Sequence, residues 1–110
     1  MPDERRRTRG HDLNLESMGI QPPYSMQAEQ SVLGAVLLKP DVLTDLVEIV
    51  RPEMFYASQN GRIYAEMVRL FTGDQTIDFV TLLDAVVSDN IFPSPDEAKV
   101  YLTGLAETVP

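Results

Sequence analysis

The sequence predicts an all-α domain, a compact orthogonal or antiparallel bundle of about five to six helices behind a flexible tail. Three observations carry this. Apolar residues recur every three or four positions in five successive segments after residue 24. Each segment is bounded by proline, glycine or a good N-capping residue. No pair of segments shows the alternation and tight-turn chemistry of a β-hairpin.

Residues 1–24 show no sustained apolar periodicity. They mix charge with Gly10 and Gly19 and close on Pro22-Pro23, which favours extended backbone. This stretch reads as a flexible tail, and residues 25–110 as the folded domain. Ser25 is a suitable N-cap for a first helix carrying Val32, Leu33, Val36 and Leu37, which Lys39-Pro40 ends. A second helix is expected over Pro40 to Val50, with Val42, Leu43, Leu46, Val47 and Val50 as its stripe and Thr44, Asp45 and Glu48 facing water. Arg51-Pro52 terminates it.

Pro52-Glu53 suits a short helical turn, after which Phe55-Tyr56 offers an aromatic plug for the core. Ser58 is the expected cap of a third helix over Gln59 to Thr72. There Ile63, Tyr64, Met67, Val68 and Phe71 lie opposite Arg62, Glu66 and Arg69, and Gly73 follows as the stop. Gly61 should weaken the start of that helix slightly. Asp78 is the expected cap of a fourth helix with a wide apolar face made of Phe79, Val80, Leu82, Leu83, Val86 and Val87; a strand over Ile77 to Val80 is the rival reading. Ser94, Pro95 and Glu97 form a capping-box start for a fifth helix with Tyr101, Leu102 and Leu105 as its stripe.

At 110 residues, 44% apolar and 24% charged, the chain has the composition of one soluble globular domain. A domain of this size buries roughly 65% of the surface its unfolded chain exposes. The absence of cysteine excludes disulfides and thiolate metal sites, and no apolar run approaches the roughly 20 residues of a membrane span. A cytoplasmic location without membrane contact is the expectation.

The net charge of −8 is unevenly distributed. Arg5, Arg6, Arg7 and Arg9 outnumber Asp3 and Glu4 in the first ten residues, leaving −10 on residues 11–110. Such a body repels phosphate, so the folded part is not expected to bind DNA, whereas the Arg5 to Arg9 cluster is a candidate contact for DNA or an acidic partner.

Candidate chemistry is sparse. The single histidine, His11, stands in the tail and reads as inert, so neither a histidine-based triad nor a common zinc site can be assembled in the domain. Asp41, Asp45 and Glu48 have helical spacing, but they share the water-facing side of an amphipathic helix and read as a solvated face. None of the six glycines precedes a helix as a phosphate cradle. Tyr64, Phe71, Phe79 and Tyr101 fall on apolar stripes without nearby basic clusters, as core residues do, rather than nucleobase platforms. No catalytic, cofactor-binding or metal-ligating residue is therefore assigned, and protein binding is the function left to a helical, acidic domain.

The run Pro22 to Gly34, with Ala28-Glu29-Gln30-Ser31-Val32-Leu33-Gly34 at its centre, resembles the opening of the head domain of DnaB-type replicative helicases. The resemblance continues through Met54-Phe55-Tyr56, Arg62-Ile63-Tyr64, Ile77-Asp78-Phe79-Val80-Thr81-Leu82, Tyr101-Leu102 and Thr108-Val109-Pro110, covering residues 22 to 110 in order. Beside it stands a physical reading in which Gly34 permits close helix contact, Phe55 fills the core and Asp78 caps a helix. Two departures stand out: Asn60 occupies a position where many relatives carry histidine, and Glu97-Ala98 replace a common Gly-Gly.

The resemblance implies a non-catalytic head that organises a hexameric ring and, together with a following helical hairpin, docks primase. ATP, magnesium and single-stranded DNA would belong to a RecA-like motor beyond these residues. Implied partners are further copies of the chain, primase and a helicase loader. Lacking the hairpin, the isolated head is expected to be a monomer or a weak dimer. Two further hypotheses remain: a stand-alone helical adaptor that binds a host helicase or another protein, and nucleic-acid binding through Arg5 to Arg9.

Overall fold

The computed structural model describes residues 25–108; the tail, with Arg5 to Arg9 and His11, and the final Val109-Pro110 lie outside the described residues. Five α-helices account for most of the described chain and no strand occurs among those residues. They are α1 (Met26–Leu38), α2 (Leu43–Ile49), α3 (Ser58–Thr72), α4 (Phe79–Ser88) and α5 (Pro95–Thr108), with 3₁₀ turns at Pro40–Val42 and Pro52–Met54. α1 lies against α3 and α5, and α4 bridges α3 and α5 from the other side.

The core takes residues from every helix. Leu33 and Val36 come from α1, Leu43 from α2, Ile63, Tyr64, Met67 and Leu70 from α3, Leu82 and Val86 from α4, and Ala98, Leu102 and Leu105 from α5. Spacings of three and four within each set place one face of each helix inward. The expected wide face of α4 is narrower: Leu82 and Val86 are buried and Phe79, Leu83 and Val87 half-buried, whereas Val80 is 73% exposed. Val80 lies off the face of α4 that meets α3 and α5 and stays in water.

The expected single helix over Pro40–Val50 is divided. Pro40 opens a 3₁₀ turn and the α-helical hydrogen-bond pattern begins at Leu43, because proline brings the right φ but no N–H donor. Val50 is already extended at φ −119°, ψ 129°, since it precedes Arg51-Pro52 and must present its carbonyl to the Tyr64 hydroxyl, which donates to it at 2.9 Å. Burial holds the Tyr64 hydroxyl above its ordinary pKa, and the ring stacks obliquely on Phe55 at 5.2 Å.

Gly61 has a different role from the slight weakness expected of it. A Cβ there would stand 2.6 Å from the Pro52 carbonyl oxygen, so glycine is what lets the Pro52–Met54 turn lie directly on α3.

Two helices end in the same way, and in neither is glycine the left-handed residue. At the end of α3 the Gly73 backbone is right-handed (φ −89°) and Asp74 adopts φ 58°; the Asp74 N–H donates to the Phe71 carbonyl and the Gln75 N–H to the Leu70 carbonyl. The helix stops at Gly73 as expected, with Asp74 supplying the left-handed residue that follows. At the end of α4, Asn90 takes φ 54°, donating to Val87, while the Ile91 N–H donates to Val86. Both are Schellman closures, and the second brings buried Ile91 back toward buried Val86.

Asp78 caps α4 as expected: its carboxylate accepts from the Thr81 N–H at 2.9 Å while the Asp78 N–H donates to Thr81 Oγ1 at 3.0 Å. The strand reading of Ile77 to Val80 is thereby settled in favour of a helix starting at Phe79. The bond from the Thr81 N–H, followed by those from the Thr81 side chain and the Val80 N–H, holds the Asp78 carboxyl below its ordinary pKa despite the opposing effect of desolvation. Ser94 likewise accepts from the Glu97 N–H at 3.2 Å.

Replacing Asn90 by glycine should raise stability by about 0.5–1 kcal/mol, because glycine adopts the left-handed region without steric cost, whereas Asn90→Val should lower it by roughly 1–2 kcal/mol. Urea midpoints at unchanged m-value measure both. A folded pKa below the unfolded one means that the Asp78 contribution is full above the unfolded pKa and is lost as pH falls through the folded one. The Asp78→Asn variant should therefore lose stability near pH 7 and converge on the parent protein in acid, as read from urea titrations across the carboxylate range.

Candidate docking surface

Among the described residues, no group of three or more His, Cys, Asp or Glu side chains comes together to hold a metal ion. Asp41, Asp45 and Glu48 are all exposed, consistent with the solvated face expected of them. Tyr64 is fully buried, while Phe71, Phe79 and Tyr101 are half-buried against the core. The surface offers apolar patches instead.

One patch lies beside α2, where Ile49 and Met54 are 68% and 60% exposed and Ala28, Val32, Val50, Met54 and Phe55 form a shallow apolar groove. The second is the outer face of α4, where Val80, Leu83 and Val87 surround Asp84. In the third, Phe92, Val100 and Tyr101 line a groove rimmed by Asp96 and Glu97. Phe92 and Tyr101 meet at a ring-centroid distance of 5.2 Å.

A buried polar network ties together the elements that carry the first and third patches. The Glu29 carboxylate, on α1, accepts from the backbone N–H groups of Tyr56 (2.5 Å) and Ala57 (3.3 Å) and from the Asn60 side-chain amide (2.9 Å). Asn60 is fully buried, and its carbonyl oxygen accepts from the Tyr101 hydroxyl of α5 at 2.5 Å. The Gln30 amide in turn donates to the Tyr101 oxygen at 3.3 Å. Ser58, expected to cap α3, is its first helical residue; the preceding Ala57 offers no side-chain cap. Instead Glu29, 27 and 28 residues upstream, accepts from the N–H groups of Tyr56 and Ala57 just before the helix, where a carboxylate is also favoured by the helix dipole.

Sequence reasoning missed this network, although one signal was present. Glu29 lies four and seven positions before Leu33 and Val36, on the buried stripe of α1, where an unpaired carboxylate is not tolerated. Its partners, Asn60 and two backbone amides, had no comparable mark.

On the solvent side of α3, Arg62 donates to the Asp89 carbonyl at 2.8 Å, a cation placed at the end of α4 where the helix dipole favours it. Arg69 pairs with Glu66 one turn away, and this bond with the attendant charge attraction raises the guanidinium pKa further.

Glu29→Gln leaves one acceptor oxygen for three donors and should cost about 1–3 kcal/mol, while Tyr101→Phe, which removes a single donor, should cost about 1 kcal/mol. Chemical denaturation at neutral pH checks the order; equal losses would show that Glu29 is not the hub.

The family model for the DnaB-like helicase N terminal domain matches residues 21–110. Over 81 residues, 72% of this chain and 8% of the relative, the chain is 38% identical to the replicative DNA helicase DnaB of Rhodothermus marinus. It is 36% identical over 89 residues to DnaB of Geobacillus stearothermophilus, covering 81% of this chain and 19% of that protein. The chain thus spans a minor part of the length of these relatives. Its backbone matches the crystal structure of the N-terminal domain of DnaB helicase from Mycobacterium tuberculosis with a TM-score of 0.60 at 28% identity, over 80% of this chain and 74% of that one. Sequence and backbone agree across the folded region, and the chain belongs to the DnaB-like helicase N-terminal domain family.

Proposed function

We infer that these residues serve as the non-catalytic head of a replicative DNA helicase, organising the ring and contributing to the platform on which primase docks. The observation that supports this most is the family match over residues 21–110. The three apolar patches agree with it, since a head that meets other copies and a partner needs more than one exposed apolar face. Unwinding, with its ATP, magnesium and single-stranded DNA, belongs in this reading to a motor domain beyond the head. A loader is a further partner of the whole assembly.

Two measurements test the reading. An antibody against the domain should detect a polypeptide several times heavier than 12.3 kDa in the source cells. That full-length protein should sediment as a hexamer and bind the carboxy-terminal domain of its cognate primase, whereas the 110-residue chain alone should be a monomer or weak dimer and turn over no ATP. A native band at 12.3 kDa would instead favour a stand-alone adaptor, and a hexamer that ignores primase would remove the docking role.

A further inference from the structure

We propose that Asn60-Gly61, at the start of α3, is a latent modification site that converts when α1 and α3 part. The Gly61 backbone nitrogen closes a ring on the Asn60 side chain, ammonia leaves, and the acid that remains prevents the junction from closing again. Of the three asparagines, Asn14, Asn60 and Asn90, only Asn60 is followed by glycine; Leu15 and Ile91 follow the others. A following residue without a side chain leaves its backbone nitrogen open to the reaction, so Asn60 has the most reactive neighbour of the three.

Once its proton has passed to solvent, the Gly61 nitrogen attacks the side-chain carbonyl carbon of Asn60. A new C–N bond forms, the bond to the amide nitrogen breaks, and that nitrogen departs as ammonia after taking up a proton. Water then adds to either carbonyl of the succinimide ring and leaves aspartate or isoaspartate, so one water is consumed, one ammonia is released and nothing is oxidised. The folded domain holds back both reactants. The Gly61 N–H donates to the Ala57 carbonyl at 3.1 Å, and the fully buried Asn60 amide donates to Glu29 at 2.9 Å while its oxygen accepts from the Tyr101 hydroxyl at 2.5 Å. Reaction therefore needs the first turn of α3 to leave Glu29, and α3 has no side-chain cap of its own to keep that turn ordered once it has left.

The fold needs both members of the pair. A Cβ at residue 61 would stand 2.6 Å from the Pro52 carbonyl oxygen, which restricts that position to glycine. Residue 60 must offer a donor to Glu29 and an acceptor to Tyr101, and a neutral side-chain amide supplies both. The product does not. An ionised carboxylate at residue 60 has no donor for Glu29 and sets two negative charges at hydrogen-bond distance in a buried site, while isoaspartate also lengthens the backbone by one carbon in the first turn of α3. Each opening exposes the pair to a change that refolding does not reverse, so the domain keeps a chemical record of how often its α1–α3 junction has opened.

The test incubates the 110-residue protein at mildly alkaline pH, in native buffer and in guanidinium chloride, and then cuts it at mildly acidic pH with a glutamate-specific protease. The peptide from Met54 to Glu66 contains Asn60 as its one asparagine. In the denatured chain this peptide should gain one mass unit well before those containing Asn14 or Asn90, and in the native chain it should stay intact over the same interval. Conversion follows the open fraction, so Tyr101→Phe in native buffer should raise the rate about fivefold, equivalent to about 1 kcal/mol in the opening equilibrium. Guanidinium below the unfolding midpoint should raise it in the unaltered protein as well. Converted chains, separated by their added negative charge, should unfold at a lower denaturant midpoint than unconverted ones. Equal rates in native and denatured chains, a rate unmoved by Tyr101→Phe and by denaturant below the midpoint, or conversion at Asn14 or Asn90 ahead of Asn60 would overturn the proposal. An unchanged midpoint in the converted chains would overturn it too, because the junction would then close around the product.

Discussion

The Glu29 carboxylate joins three segments that are far apart in the chain. By accepting two backbone N–H groups and one side-chain amide, it fixes the start of α3 against α1, and through Asn60 and Tyr101 the same network reaches α5. A buried carboxylate without donors would destabilise the fold; here its donors are the backbone N–H groups of Tyr56 and Ala57, immediately before α3, and the Asn60 amide. The cost on each side is offset by the other, which makes the arrangement specific: α1 and α3 have one register in which all the groups are paired.

Around this junction the remaining constraints are local. Gly61 allows the Pro52 carbonyl to lie against α3, the Tyr64 hydroxyl draws in the extended Val50, and left-handed residues at Asp74 and Asn90 reverse the chain after α3 and α4. The reversals bring Ile77 and Ile91 into the core, so the turns add apolar burial as well as ending helices. α4 and α5 receive conventional N-caps from Asp78 and Ser94, whereas α3 has no side-chain cap and the segment entering it is held by Glu29, so its position depends on tertiary contact.

A helical body with a net negative charge and several exposed apolar patches is suited to meeting proteins rather than phosphate backbones. Family membership gives this surface its context: relatives that include it as a small fraction of their length are replicative DNA helicases.

The sequence by itself determined the helices and most of their inward faces, because apolar spacing and local capping chemistry act within a few residues. Leu33 and Val36, Ile63 and Met67, and Leu102 and Leu105 all lie where periodicity places them, and Asp78 and Ser94 bond to N–H groups three positions on. The AEQSVLG run at Ala28 to Gly34 also made the family legible. Only the tertiary structure decided that Glu29 rather than Ser58 would serve the start of α3, that Gly61 is a contact point rather than a weakness, and that Val80 would stay in water. Each of those outcomes depends on what a distant segment brings to the residue: a hydrogen-bond donor, a carbonyl oxygen, or no neighbour at all. Periodicity reports which face of a helix is apolar, but not which partner that face will meet.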